Sequence, residues 1–549
     1  MRRRAGVELA QMKLAAGLIL AAGTLLAAPG EIAFSQSAAT AEAWDFVEVT
    51  IQVSAPDVRN PFVDASVNGS FGKAGSTERL KAEGFCDSPD GSIFRIRFMP
   101  STPGDYAYTV VYREAGVEKS YDGTFRATDG HRRGPVRVDP QYPWHFIWQG
   151  TGEHYFFNGT TAFWLMGWRD ERIIRASLDR LHGLKVNRVR VLLGGRSWTM
   201  YGEPVMNSEA FSFYLSPWPA VNASDYDHPG FDYTRFNLVH WQRYERMLRF
   251  ARDRDMIISV ILDIADGKIH PVAGSEDERR YIRYAAARLA AFSNITWDLG
   301  DDLDTFRDDK WAHETGTLLV GGWDPYRHLA SSHPVHTEHQ DRGSEWFGFA
   351  SLQEWGRTQH ALMLESRRLQ VKAGRIVPQT NEEYGYEDHY PIWAPQPPGD
   401  SAETLRRVAW DIAMAGAYGT AGESARRGTN IWPDTGGGWV NGRGDDTMTM
   451  LNGYAHMVDF FSGFEWWKTD PHDELVNNGA WCLAEPGRTY AVYLAHGGTV
   501  TVKLEPGRYR AQWFSAPTGE IVPVGLVDGG SWTSPGAPDG NDWALLLQK

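Results

Sequence analysis

The chain has 549 residues, with 55 Lys and Arg against 69 Asp and Glu, a net charge of −14, and it is 42% hydrophobic and 23% charged. That composition excludes a disordered or membrane-embedded chain, and the acidic balance argues against nucleic acid as a partner. Two cysteines exclude a disulfide scaffold, whereas 23 Trp and an aromatic content of 13% suit the aromatic-lined clefts on which sugar rings stack.

At about 150 residues per domain, the length predicts three to four units. Arg2, Arg3, Arg4 and Lys13 flank an apolar stretch over 14–28, too short to span a membrane at about 20 residues, and Ala33-Phe34-Ser35 fits a small-x-small cleavage pattern. Residues 1–35 are therefore expected to be a secretory signal, with an uncleaved anchor as the alternative. No other run approaches membrane length, so no membrane association is expected after cleavage. The product is expected to be secreted or periplasmic.

Period-2 alternation then begins, with Val47, Val49, Ile51 and Val53 in one row, Phe94, Ile96 and Phe98 in another, and Tyr106, Tyr108 and Val110 after the turn Thr102-Pro103-Gly104-Asp105. This predicts a small antiparallel β-sandwich over 43–128, followed by a linker at 131–135. From 135 to 470 short β-rich runs alternate with helical patterns. The predicted strands are 155–157, 186–193, 257–264, 295–299, 328–331, 347–352, 376–379 and 417–420, and the helices include 173–182, 241–254, 276–292 and 401–414. Eight such runs predict a (β/α)8 barrel, with the residues after each strand forming the active face. Alternation returns over 473–549 and predicts a second sandwich. The fold class is thus α/β, a TIM barrel flanked by two small β-sandwich domains. Cys86 and Cys482 fall in different domains and are read as buried thiols rather than a long-range disulfide.

Two strand ends carry acids. Asp298, Asp301, Asp302 and Asp304 follow the fourth strand, and their mutual repulsion favours a raised pKa of the kind a general acid needs. A solvated or calcium-binding loop is the alternative. Glu382 and Glu383 end the seventh strand beside Tyr384 and Tyr386, with helix capping or an Arg partner as the alternative. Strands four and seven lie on opposite sides of an eight-strand barrel, so these acids would face each other across its mouth. Two facing carboxyls are the minimal machinery for glycosidic cleavage.

The other candidates are substrate contacts. Arg190 on strand two could orient a carboxylate or form a structural ion pair, and Asp263 could bind a hydroxyl or cap a loop. His336 and His339 have H-x-x-H spacing, but two ligands are too few for a metal, so substrate contact is expected. Gln353 and Trp355 after strand six, Tyr386 after strand seven, Glu423 and Trp432 after strand eight, and Trp164 after strand one, as sugar platform or core, complete the set. The sequence contains no phosphate-binding glycine loop, zinc-type cysteine pair or nucleophile elbow, so no cofactor or metal is implied.

Several motifs carry a family resemblance. Asn60-Pro61-Phe62-Val63-Asp64, Arg97-Phe98-Met99-Pro100, Pro103-Gly104-Asp105-Tyr106 and the run from Asn158 through Thr161 to Leu165 resemble the N-terminal sandwich of exported bacterial carbohydrate-active proteins. The barrel is similar to the large retaining (β/α)8 clan of glycoside hydrolases, especially apiosidase-like members, and the tail resembles the small sandwich nicknamed a collagen-binding domain. In that clan the acid/base ends strand four, as Asn-Glu or as Gly-Asp. Here Asp301-Asp302 holds the place, so the resemblance implies Asp302 as acid/base, with Asp301 as rival. It implies Glu383 as nucleophile, with Glu382 as rival, because Glu383-Tyr384-Gly385-Tyr386-Glu387 matches the strand-seven run. In the clan a Trp after strand eight often serves as a sugar platform, the place Trp432 holds. The expected activity is retaining hydrolysis of a polysaccharide or oligosaccharide, from chain ends because the long segment 194–240 would wall the cleft. Asp302 is one methylene shorter than Glu, which keeps an inverting enzyme open, and a non-catalytic carbohydrate-binding protein is the other alternative. The sugar and linkage are not legible.

Overall fold

The computed structural model describes residues 30–194, 209–212, 216–225, 228–264, 270–356, 359–387, 400–423, 438–444 and 447–549. In the N-terminal domain, Val47–Val53 pairs with Ile93–Phe98, and Gly104–Glu114 pairs with Ala65–Lys73 and Val117–Thr128. The alternating residues Val49, Ile51, Phe94, Ile96, Tyr108 and Val110 fill one core between the two sheets. The domain begins earlier than its sequence pattern suggests. Ile32–Gln36 pairs antiparallel with Val49–Val53 as an edge strand, so cleavage after Ser35 would remove most of a folded strand.

The central domain is a nearly closed barrel of eight parallel strands: β1 (Gly159–Thr161), β2 (Arg188–Leu192), β3 (Ile257–Ile261), β4 (Ile295–Asp301), β5 (Ala330–His333), β6 (Ala350–Gln353), β7 (Gln379–Glu383) and β8 (Tyr418–Glu423). Hydrogen bonding runs continuously from β5 back through β1 to β8, β7 and β6, and the bridge Ala330↔Phe347 approaches closure between β5 and β6. The first strand departs from expectation. Residues 155–157 are not in the barrel: His154–Tyr155 pairs antiparallel with Phe146–Trp148 in a small sheet at its base, and Gly159–Thr161 enters the barrel instead.

Helices cover the outside, and four of them are started by a short polar cap. Asp170 caps α1 (Glu171–Gly183), Ser275 caps α3 (Glu276–Leu289), Asp308 caps α4 (Asp309–Leu318) and Ser401 caps α6 (Ala402–Met414), each accepting a backbone N–H of the first turn. The other long helices among the described residues are α2 (Leu238–Arg252), α5 (Gln359–Ala373) and α7 (Met450–Ser462).

The C-terminal strands form one six-stranded antiparallel sheet rather than two hydrogen-bonded layers. Register shifts at Leu504/Arg508, with the extra residues in Thr501–Ser515, and at Ala511/Gln512, with the extra residue in Ile521–Thr533, interrupt the long hairpin of these two strands. Such bulges bend a strand, and the sheet wraps a core of Val492, Val502, Tyr509, Trp513, Leu545 and Leu547. Cys86 and Cys482 are buried free thiols, as expected. No helix among the described residues is long and apolar enough to cross a membrane.

Both flanking domains are bolted to the barrel by buried polar contacts. Arg97 of the N-terminal sheet meets Glu245 of α2 at 2.8 Å, and Arg288 of α3 meets Asp87 at 2.8 Å and the same Glu245 at 2.5 Å. At the other end Arg406 grips Asp542 through two hydrogen bonds of 2.6 and 3.0 Å, and Trp410 stacks on Tyr493.

Candidate active site

A TIM-barrel interior is ordinarily filled by branched apolar side chains. Here it is lined by charge. Arg188 and Arg190, two apart on β2, point the same way and are both buried. Arg188 donates to Glu382 of β7 at 2.7 Å and to Ser259 of β3 at 2.8 Å, and Thr420 of β8 donates to the same Glu382 oxygen at 3.1 Å. Arg190 lies one layer higher. It contacts Asp301, His333 and Asp298, the last at 3.4 Å.

The two acidic strands share a device. Between Asp298 and Asp301 the β4–β5 register shifts by one residue, and between Leu352 and Gln353 the β6–β7 register skips Glu382. An extra residue in a ladder re-aims the side chain that follows it. Alternation sends Asp298 and Glu382 inward; the bulges then let Asp301 and Glu383 point inward as well. Beyond β7, Gly385 has φ +145°, and a Cβ there would sit 2.9 Å from Leu405. This position needs glycine, and the turn it makes folds Tyr386 back over Glu383. Glu387 accepts the backbone N–H groups of Thr449 and Met450 at 2.9 and 3.0 Å, anchoring the segment to the start of α7.

At the barrel mouth Asp301, His333 and Glu383 each place a donor atom within 4.8 Å of the other two. Burial alone would raise the Asp301 carboxyl, but Arg190 and His333 more than reverse it and hold it below the usual carboxylate range. Glu383 goes the other way. Burial pushes its carboxyl up, and the charges of Asp301 and Asp302 push it further. Asp298, deeper in the barrel, is pushed up to about 6 by burial against the opposing charge of Arg190. Glu382 is held down, because Arg188 and Arg190 outweigh its burial.

Asp302 leaves the strand in the left-handed region, at φ 53° and ψ 37°, and is half-buried. A left-handed non-glycine residue stores local strain, and such residues cluster at functional sites. The pair Asp301-Asp302 thus divides in two: one carboxylate clamped by cations, its neighbour held at the mouth close enough to repel Glu383.

The other predicted residues are dispersed around this centre. Gln353 sits opposite Glu383 in the β6–β7 register, and Trp355 packs edge-on against Tyr386 with ring centroids 5.3 Å apart. Burial and the charges of Glu383 and Asp301 hold the Tyr386 hydroxyl well above its usual value. Asp263, at the end of β3, faces Arg307 at 3.4 Å and is pushed up to about 8 by burial. Glu423 is buried against Arg180 through two hydrogen bonds of 2.7 Å. Trp164 is buried among core residues including Leu165 and Met166. His336 and His339 lie on the rim beyond β5. Trp432 lies outside the described residues.

His333 was missed in the sequence, because Ala330-Ser331-Ser332-His333 carries no apolar run, and the strand pattern there stopped two residues early. Arg188 was missed because it begins a strand that otherwise reads as apolar core. The spacing of Asp301, His333 and Glu383 could bridge a metal ion, but the fixed charge of Arg190 already occupies the edge shared by Asp301 and His333 and opposes a second cation there.

Comparison with known proteins agrees with this geometry. A family of domains of unknown function, DUF5060, matches residues 40–113, and the apiosidase-like catalytic domain matches residues 149–423. The fold is shared with a candidate glycoside hydrolase from Bacteroides vulgatus at 20% identity and a TM-score of 0.76, covering 93% of this chain and 100% of that one. A glycoside hydrolase family 5 protein from the same organism matches at 17% identity and a TM-score of 0.59, covering 76% of this chain and 93% of that one. No curated protein matches the chain. The apiosidase-like domain extends from the small sheet below the barrel to the end of β8 and takes in both acidic strand ends, and by it the chain belongs to the apiosidase-like family of glycosidases.

Proposed function

We propose that this glycosidase is a retaining enzyme acting on chain ends of a plant or microbial glycan, with Glu383 attacking the anomeric carbon and Asp302 protonating the leaving oxygen and then activating water. The observation that carries the reading is the facing of the β4 and β7 ends, where an Asp301 oxygen and a Glu383 oxygen lie within 4.8 Å. Retention needs the two acting carboxyls about 5–5.5 Å apart and inversion about 6.5–9.5 Å; Asp302, the neighbour of Asp301 at the same strand end, is near enough for its charge to raise Glu383. Asp302 suits the acid better than Asp301, since a carboxylate clamped by Arg190 and His333 is a poor proton donor. Release of sugar from a glycan and nitrophenyl-glycoside panel, with proton NMR of the first-formed anomer, tests this. Retention of configuration is expected; inversion, or binding without release, rejects it.

The elevation of Glu383 favours a second assignment, in which Glu383 carries the proton and a β4 aspartate attacks. The variant Asp301→Asn separates the two. Removing that negative charge lowers the Glu383 pKa. A nucleophile must be ionised, so kcat/KM rises with pH through the Glu383 value, and the variant is expected to move the acidic limb to lower pH. Movement of the basic limb instead would assign Glu383 as the acid.

We also propose export through the basic and apolar segment at the N-terminus, with cleavage upstream of Ile32, because residues 32–36 belong to the folded sheet.

A further inference from the structure

A second group of donor side chains sits on the rim of the barrel. Asp304, two residues beyond Asp302, and His336 and His339, which follow β5, each place one ligand atom within 4.8 Å of the other two. We propose that Asp304, His336 and His339 bind a divalent transition-metal ion of the zinc class.

The backbone brings the two histidines together. His336 caps a 3-10 turn over Thr337–His339, and residues three apart in such a turn eclipse one another. Their rings accordingly lie on one face, with centroids 6.2 Å apart. The third ligand arrives from the neighbouring loop, which is why H-x-x-H spacing in the sequence showed two ligands and not three. The Asp304 side chain is only 6% exposed, and one of its oxygens accepts the Val335 N–H at 2.6 Å. Its other oxygen is thereby aimed at His336, whose Nδ1 lies 2.6 Å away.

The surroundings match what metal-binding imidazoles require. His339 Nδ1 pairs with Asp309 at 2.9 Å. A ring that donates Nδ1–H to a carboxylate presents the Nε2 lone pair outward, and such a carboxylate orients a ligating histidine and raises its basicity. Two imidazoles and one carboxylate make a three-ligand set that leaves a position for water, and this donor mix selects zinc-class ions over the oxygen-seeking calcium and magnesium. His336 and His339 side chains are 62% and 40% exposed, so an ion can enter from solvent. Once bound, it would tie the loop carrying Asp302 to the loop that follows His333. The proposal does not depend on the assignment of catalytic roles.

The test uses the full chain, stripped with chelator and titrated calorimetrically with zinc sulfate, and in parallel with calcium and magnesium chloride. One zinc ion per chain is expected, with little heat from the other two. His336→Ala/His339→Ala is expected to weaken that event at least about tenfold, and zinc should raise the Tm of the parent and not of the double variant. The metal-free Tm and circular dichroism of the variant establish that it folds, and His336→Gln/His339→Gln, which keeps size and polarity, repeats the test if it does not. Absence of zinc binding, binding that persists in the double variants, or calcium binding of equal strength would overturn the proposal.

Discussion

Glu383→Ala is expected to lower kcat at least about a thousandfold, and Asp302→Ala to do so on substrates with poor leaving groups. The two losses differ in kind. With Glu383 as nucleophile, its removal takes away the attacking carboxylate, and leaving-group quality cannot restore what is lost. Without Asp302 the leaving oxygen lacks its proton, so a nitrophenyl glycoside, which needs none, should recover much of the first step. Added azide, which needs no general base, should then rescue turnover of Asp302→Ala. Glu383→Ala should respond to azide only through an inverted glycosyl azide. Assays of both variants on both substrate types check this. Activity within about tenfold of the parent in either variant, on a substrate with a poor leaving group, removes that residue from the mechanism.

Arg190→Met is expected to destabilise the fold by about 3–5 kcal/mol, because it leaves buried acids without their cation. Arg190 is fully buried and stands within ion-pairing distance of Asp298, Asp301 and Glu382. Urea unfolding of parent and variant at neutral pH measures the loss, and a difference below about 1 kcal/mol would mean that the arginine is not what holds these acids. The pH dependence has a definite sign. The folded-state pKa of Asp301 is depressed, so its contribution is present above the unfolded pKa and is lost as pH falls through the folded one. The gap between parent and variant should therefore narrow on acidification. Arg190→Lys keeps the charge but loses the fork that reaches several acceptors, and should fall between the two.

The barrel was legible because parallel strands buried on both faces read as apolar runs, as over 186–193 and 257–264. The strands that carry the chemistry do not read this way. Gln379-Thr380-Asn381-Glu382-Glu383 is wholly polar, yet all five residues are buried. Its polar interior is tolerable because Arg188, Arg190 and Thr420 answer Glu382 from other strands and α5 answers Gln379 and Asn381, and that pairing is invisible in a one-dimensional reading. The same limit explains the paired candidates Asp301/Asp302 and Glu382/Glu383. Strict alternation points one member of each pair inward, and the bulges that break it leave no mark in the sequence. Residues 155–157 read as the first strand because three aromatics outweigh a Gly-Thr-Thr run, although the barrel takes the smaller strand Gly159–Thr161 there. Ile32–Ser35 reads as leader because Ala33 and Ser35 are small; the pairing partner of this strand lies 13 or more residues downstream.

The shared use of Glu245 by Arg97 and Arg288 has a bearing on the cleft of about 700 Å³ between the N-terminal sheets and the barrel, lined by Trp44, Arg79, Arg137 and Tyr326. A binding module on a floppy tether raises local concentration in proportion to what its linker allows. The N-terminal domain is instead held directly against the barrel by the buried pairs of Arg97 and Arg288 with Glu245. A polymer lying in that cleft would reach the hydrolytic centre across an interface braced by charge pairs rather than along a loose linker.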